Sequence, residues 1–415
     1  MVTAQFMQIL FVLDQLPYPP RNGVTVPTYN YLRGLAERHD VSLLFVRRNP
    51  DEDLACLDEN KALVANFWMI TAPKRPAWFR IGNELRGQSM FHMGRRYDET
   101  ELRCLCGGYH FDAIWVSDDG LLDVVYSLKR LFREAPVYVA GINDAITGVF
   151  RGAIRNVWLV GLTPLARILL VVKWLRSWRI GAIENRLLEQ YDFIPVQSEA
   201  DKRMLEKISR GGLADKVMVL PNGVDSSLFS VSSEKSRKDL LFVGSLRGYG
   251  PIVEWLMVHV WPAVSERHPD ATMTIIGRGA SERLKKQVEE ARGVSYFPFL
   301  ENLQDVYRGR MVAILPVRKS WGLINKVIES MAAGVPVVGD TGSFNSIPDF
   351  QDGVHGVVAK DAESMIQAVT GLIDNEKRRS EMADAARNLI RQHFVWKDRI
   401  DRAERRIQEL SNQTQ

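Results

Sequence analysis

The 415-residue sequence predicts an α/β protein built from two doubly wound halves. Three observations carry that expectation. The first eighty residues alternate apolar strand patterns with helical ones, a polar stretch SVSSEKSRKD (230–239) interrupts the alternation, and the alternation then restarts. Strands alternating with helices argue for parallel sheets covered on their faces. The chain is also too long for one ordinary core.

Taken in order, QFMQILFVL is the first strand and TVPTYNYLRGLAERH the helix after it. Pro27 sits in the first turn, where a missing amide is tolerated. VSLLFV is the next strand, and FDAIWV (111–116), PVYVAG (136–141) and DFIPVQS (192–198) are expected later in the same sheet. A helical pattern over about 168–190 lies between the last two. After the linker come LLFVG, a long helix from about 252 to 267, TMTIIG, a helix near 282–292, VSYFPF and MVAILP. Pro262 is expected to kink or end a turn of the long helix. In SWGLINKVIESMAAGVPVVGD (320–340), Ile324, Val327, Ile328, Met331 and Ala332 form one helical stripe. Gly334 caps that helix, and VPVVG is a short buried strand. The tail WKDRIDRAERRIQEL places Trp396, Ile400, Ala403, Ile407 and Leu410 on a narrow stripe that needs a partner surface. It is expected to pack back across the first domain. The domains are therefore read as 1–229, a linker 230–239, a second domain 240–395 and a returning helix 396–415.

Hydrophobic residues at 46% and charged residues at 25% are ordinary for a globular protein. A net charge of +4 without a dense basic stripe argues against a nucleic-acid binder. Cys56, Cys104 and Cys106 lack zinc or redox spacing and are read as reduced thiols of a cytoplasmic protein. MVTAQFMQILFVLDQLP has neither a basic start nor a cleavage pattern, so it reads as a strand and not a secretion signal. The segment 156–178 is apolar but interrupted by Pro164, Arg167, Lys173 and Arg176, and its unbroken run Ile168–Val172 is too short to span a bilayer. Trp158, Trp174 and Trp178, with Arg176 and Arg179, suit a helix lying in a membrane interface; a core helix with a wet basic side is the plainer reading.

Ligands of doubly wound sheets sit outside the carboxyl ends of the strands. Two such junctions carry suggestive residues. GSLRGYG (244–250) is a glycine-containing turn with Arg247 at its tip, and LPVRKSWG (315–322) offers Arg318 and Lys319 before a helix. That helix end, with free amides and a positive dipole, favours an anion. Lys326 in its first turn opposes the dipole unless an anion is bound there. Glu329, one turn deeper, has two oxygens able to accept the hydroxyls of a ribose. A nucleotide diphosphate across the helix fits both residues, while an i,i+3 surface ion pair worth about 0.3 kcal/mol is the alternative.

FVGSLRGYGP, TMTIIGRG, AILPVRKSWGLINKVIESMAAGVPVV and the DGVHG turn occur in an order and spacing that resemble the C-terminal half of glycosyltransferase family 4. Those are retaining glycosyltransferases (glycosyl transferases group 1) of the GT-B fold, in which two Rossmann-like domains face a central cleft. ILFVLDQLPYPPRNGVTVPTYNYLRGLAERHDVSLL, IPVQSEAD and VLPNGVD extend the similarity into the first half. The resemblance implies that Glu329 holds the donor ribose and that Lys326 stands for the diphosphate-binding lysine. It makes Arg318 and Arg247 secondary phosphate candidates, with Gly244, Gly322, Leu323 and Asn325 beside the donor. Gly23, after the first strand, would let backbone approach the donor phosphates or the acceptor. The chain also departs from the family pattern. Trp321 stands where the first glutamate is usual and Ser245 where an arginine is. Ser117, Asp118 and Asp119 end a strand where a histidine is usual, and Asn143-Asp144 replaces a His-Asp pair.

The function so implied is transfer of a sugar, with retention, from a nucleotide-diphosphate donor to an acceptor hydroxyl in polysaccharide or glycolipid assembly. Lys326, Arg318 and Arg247 would stabilise the departing diphosphate. Asp144, or Asp118 and Asp119, would orient the acceptor or accept its proton, unless these aspartates are simply turn and cap residues. No cofactor and no metal are expected, since Asp51–Asp53 and Asp118–Asp119 lack coordinating partners. A lipid-linked acceptor would place the protein peripherally on the cytoplasmic face of a membrane. A binding protein with a degenerate donor site, or a GT-B nucleotide-sugar epimerase, remain the alternatives. An ordinary dinucleotide dehydrogenase is disfavoured by the absence of a G-x-G-x-x-G turn after a strand.

Overall fold

QILFVL (β1, Gln8–Leu13) and DVSLLFVR (β2, Asp40–Arg47) are apolar almost without alternation because both faces of their sheet are covered. The computed structural model describes residues 6–20, 23–48, 54, 56–72, 97–117, 119–132, 136–142, 144–157, 164–231, 238–318 and 322–414. Asn66–Thr71 (β3), Ala113–Ser117 (β4) and Val137–Gly141 (β5) complete a parallel sheet of order β3-β2-β1-β4-β5. Leaving β1 in both directions is the doubly wound topology, and it opens a crevice beyond the carboxyl ends of β1 and β4. Helices Thr25–Ala36, Glu99–Cys106, Val125–Leu131, Ile146–Val157 and Pro164–Leu188 belong to this part.

DFIPVQS does not extend that sheet as expected. Ile194–Val196 (β6) pairs instead with Val217–Val219 (β7) in a separate two-stranded sheet. Its ladder pairing with β5 is a single isolated bridge, Val139 to Phe193. The Ala140 amide donates to the Phe193 carbonyl at 2.9 Å, but the next amide on that side would belong to Pro195, which has none.

The second sheet repeats the plan. Asp239–Val243 (β8), Thr272–Ile276 (β9), Val294–Phe297 (β10), Val312–Leu315 (β11), Val337–Gly339 (β12) and Val357–Val358 (β13) run parallel in the order β10-β9-β8-β11-β12-β13. Its switch point lies between β8 and β11. The predicted long helix is two: Leu246–His259, which tolerates Pro251, and Trp261–Arg267, which Pro262 opens. Pro262 thus acts at a helix start, where its fixed φ is already suitable.

The chain forms two compact units, Met1–Pro221 with Lys397–Gln415, and Asn222–Trp396. The change comes at Pro221 and not in the expected stretch 230–239, of which 232–237 lie outside the described residues. Val224, Leu228 and Val231 are already buried in the second core, and the Val224 amide donates to the Phe394 carbonyl at 2.9 Å. The last helix, Trp396–Thr414, splits its stripe accordingly. Trp396 falls in the second unit, while Ile400, Ala403 and Ile407 are buried in the first and Leu410 is half-buried. Within the first unit Arg38 reaches Asp401 at 2.8 Å and Glu404 at 2.6 Å, and His39 Nε2 lies 3.0 Å from Glu404.

Candidate functional site

At the switch point of the second unit, β8 is followed by Gly244 and β9 by Gly277. The Gly244 amide donates to the Ile276 carbonyl at 3.0 Å, and the Leu246 amide donates to the Arg278 carbonyl at 2.9 Å. The two turns are therefore one hydrogen-bonded shelf. Gly277 has to be glycine, since a Cβ there would lie 1.8 Å from the Gly244 carbonyl oxygen. Ser245 precedes Leu246–His259 without a side-chain capping bond, and Arg247 projects exposed from its first turn. Arg247 has no carboxylate partner among the described residues.

The other wall begins at β11. Arg318 is exposed; its Nε lies 3.4 Å from Asp340 Oδ2, and its Nη2 donates to the Lys360 carbonyl at 3.1 Å. Asp340 also accepts the Thr341 amide at 2.6 Å as the cap of Thr341–Phe344. Arg318 therefore leans on the turns after β12 and β13, although it was expected to share a diphosphate with Lys326. Lys319 and Trp321 lie outside the described residues. Leu323, expected beside the donor, is half-buried and packs on the second core. Gly322 is half-buried.

Helix Asn325–Ala332 starts without a side-chain cap, because Ile324 occupies that position. Its first amides are thus left for solvent or ligand. Lys326 Nζ donates to Glu329 Oε2 at 2.7 Å, the i,i+3 pair that the spacing allowed. The hydroxyl of Tyr307, at the end of helix Leu303–Tyr307, donates to the same oxygen at 2.6 Å. Burial and the neighbouring Glu329 carboxylate hold the Tyr307 phenol well above its ordinary pKa, so it remains a donor. Both bonds fall on Oε2, and Oε1 accepts none from the described residues. Asn325 is approached by Asn222 of the VLPNGVD stretch, whose Nδ2 lies 3.4 Å from Asn325 Oδ1.

Asp144 and Gly23 belong to the first unit. Gly23 is exposed in the β1 loop, and a Cβ there would meet nothing within 4 Å. Asp144 is half-buried in the turn after β5. Burial, and then the Asp201 carboxylate, push its pKa up to about 6. Asn143, Asp118, the side chain of Asp119 and Asp51–Asp53 lie outside the described residues.

The structure thus brings Lys326, Glu329 and Asn325 together on one helix end, with Gly244 and Arg247 after the adjoining strand. It turns Arg318 aside. Sequence reasoning missed Tyr307 altogether, because a tyrosine twenty-two residues from its carboxylate belongs to no spacing rule. Asn222 could have been found, since it sits in a stretch already singled out.

This site occupies a domain whose family can be compared directly: residues 237–375 match the family described as glycosyl transferases group 1. Among curated proteins the chain is similar to phosphatidyl-myo-inositol mannosyltransferase of Mycolicibacterium smegmatis, at 25% identity over 40% of this chain and 46% of that protein. The Mycobacterium leprae protein of the same name is 25% identical over 44% of this chain and 50% of its own length. The chain thus spans about half the length of the curated relatives it matches. Among solved structures, Anabaena HepE in complex with UDP and glucose gives a TM-score of 0.66 at 13% identity, covering 97% of this chain and all of that one. Sucrose-phosphate synthase from Thermosynechococcus elongatus gives 0.68 at 14%, covering 97% and 99%. The fold is GT-B, with two Rossmann-like halves.

Proposed function

We propose that this protein is a retaining glycosyltransferase that moves a sugar from a nucleotide-diphosphate donor to an acceptor hydroxyl. The observation that carries the reading is the Lys326–Glu329–Tyr307 arrangement at an uncapped helix start, at the switch point of a domain matching glycosyl transferases group 1. A diphosphate at the helix end would draw Lys326 from Glu329, and Tyr307 would keep the carboxylate in place with Oε1 towards a ribose hydroxyl. Charge growing on the departing diphosphate is then met by Lys326, the first-turn amides and Arg247. Arg318, engaged by Asp340, contributes at most a secondary phosphate contact. The role of these fixed cations is why the reading assigns no metal and no cofactor. HepE, a fold neighbour, was crystallised with UDP-glucose, which supports a nucleotide-sugar donor.

On the acceptor side Asp144, whose raised pKa suits a group that exchanges protons near neutrality, is proposed to orient or deprotonate the acceptor hydroxyl. The names of the curated relatives, together with exposed Trp174 and Trp178, support a lipid-linked acceptor held at the cytoplasmic face of a membrane. Polysaccharide or glycolipid assembly would use such a transfer.

A thermal-shift screen of UDP-, GDP- and ADP-sugars tests the donor site, because a ligand bound only by the native state raises the melting temperature. One class is expected to stabilise the parent protein and to lose that effect in Lys326→Ala and Glu329→Gln. Equal stabilisation of parent and variants by every donor would sink the assignment. Sugar transfer that needs acceptor separates a transferase from an epimerase or a degenerate binding protein.

A further inference from the structure

The turn that carries Asp144 is held by two buried carboxylates that the reaction as proposed does not use. Asp144 precedes helix Ile146–Val157, whose opening amides are taken in succession. The Ala145 amide donates to Asp201 Oδ1 at 3.0 Å, Ile146 to Glu184 Oε1 at 2.7 Å and Thr147 to Glu184 Oε2 at 3.0 Å. Glu184 comes from helix Pro164–Leu188 and Asp201 from helix Glu199–Ile208; their relative exposures are 2% and 0%. Two distant helices thus supply acceptors to three consecutive amides. Ser198, the cap of Glu199–Ile208, donates its hydroxyl to Asp201 Oδ2 and accepts the Asp201 amide, which fixes that carboxylate in turn.

We infer that Glu184 and Asp201 are positioning residues for Asp144: both pin its turn to neighbouring helices, and Asp201 sets a buried carboxylate behind its carboxyl. The inference rests on the reading of Asp144 as the group that meets the acceptor hydroxyl. No cation pairs with Asp144, Glu184 or Asp201 among the described residues. Arg151, one turn along the same helix, is directed to Ser177 Oγ at 3.4 Å, Met204 Sδ at 3.6 Å and the Trp178 ring. Lys202, beside Asp201 in sequence, lies 4.0 Å from Glu206. The negative field at Asp144 is therefore left uncompensated by these neighbours, consistent with the upward displacement of its titration.

The test uses full-length protein carrying labelled aspartate, with Asp144→Asn identifying its resonance. Asp201→Asn keeps an acceptor for the Ala145 amide and removes the charge, so the Asp144 carboxyl is expected to titrate about one pH unit lower. The acidic limb of kcat/KM against pH should move with it, at unchanged donor KM. Glu184→Gln, which keeps the side-chain shape but only one acceptor atom, is the second variant; it should lower kcat about tenfold without weakening donor binding. An Asp144 titration that does not move overturns the inference. A titration that moves while the rate profile stays in place also overturns it, by removing Asp144 from the reaction. Failure of the wider transferase reading would look different, as no donor binding in the parent protein.

Discussion

Glu329 is held from two directions, by Lys326 on its own helix and by Tyr307 from Leu303–Tyr307, and the two contacts differ in kind. Lys326 is partly solvated and can leave for an anion; Tyr307, 1% exposed, cannot leave without losing its partner in the interior. Tyr307→Phe should therefore weaken donor binding 3- to 10-fold, corresponding to the ~1 kcal/mol of a typical hydrogen bond. Calorimetric titration of the variant with the stabilising donor checks it, and an unchanged Kd would show that the hydroxyl does not orient the carboxylate. Of these three residues, Lys326 and Glu329 could be read from one helix period. Tyr307 could not, since only folding brings it to Glu329.

Helix Pro164–Leu188 shows how an element can serve both the interior and solvent. Ile180, Leu187 and Leu188 are buried, while Trp174 and Trp178 are 53% and 61% exposed and meet edge to face with centroids 5.8 Å apart. Arg151 lies over the Trp178 ring at 5.6 Å, and Arg179 is exposed. Arg176, expected to face a membrane with Arg179, is half-buried. No helix among the described residues is long and apolar enough to cross a membrane. The proposed membrane contact rests on these paired exposed tryptophans and the arginines beside them. The protein should co-sediment with vesicles containing anionic lipid, and Trp174→Ala with Trp178→Ala should cut the bound fraction several-fold. Equal sedimentation of parent and double variant would return the helix to an ordinary exposed role. The apolar runs and interruptions were legible in sequence, but which tryptophans stay outside was not.

At the scale of the molecule, buried carboxylates set how stability responds to pH. Burial outweighs the two amide bonds at Glu184 and pushes its pKa from 4.5 up to about 7. The folded state thus binds this proton more tightly than the unfolded one. Its contribution is fully present below about pH 4.5 and is lost as pH rises through 7, amounting to on the order of 3 kcal/mol. Relative to Glu184→Gln, the parent protein should become less stable between pH 5 and pH 8. Denaturant unfolding of both proteins at the two pH values measures this, and curves that stay parallel would show that Glu184 titrates alike in both states.

Local periodicity was enough to establish the α/β class, most strands, the helix that carries Lys326 and Glu329, and the turn at Gly244, because those features depend on neighbours a few residues apart. It failed at DFIPVQS, where one missing amide at Pro195 diverts a strand from the sheet. It also failed at residues 222–231, which look like an approach to a linker but belong to the second core. Arg318 paired with Asp340, Tyr307 bound to Glu329, and Glu184 and Asp201 behind Asp144 were decided only in three dimensions. Each of those contacts joins residues at least 22 positions apart, and their partners come from other strand ends and helices.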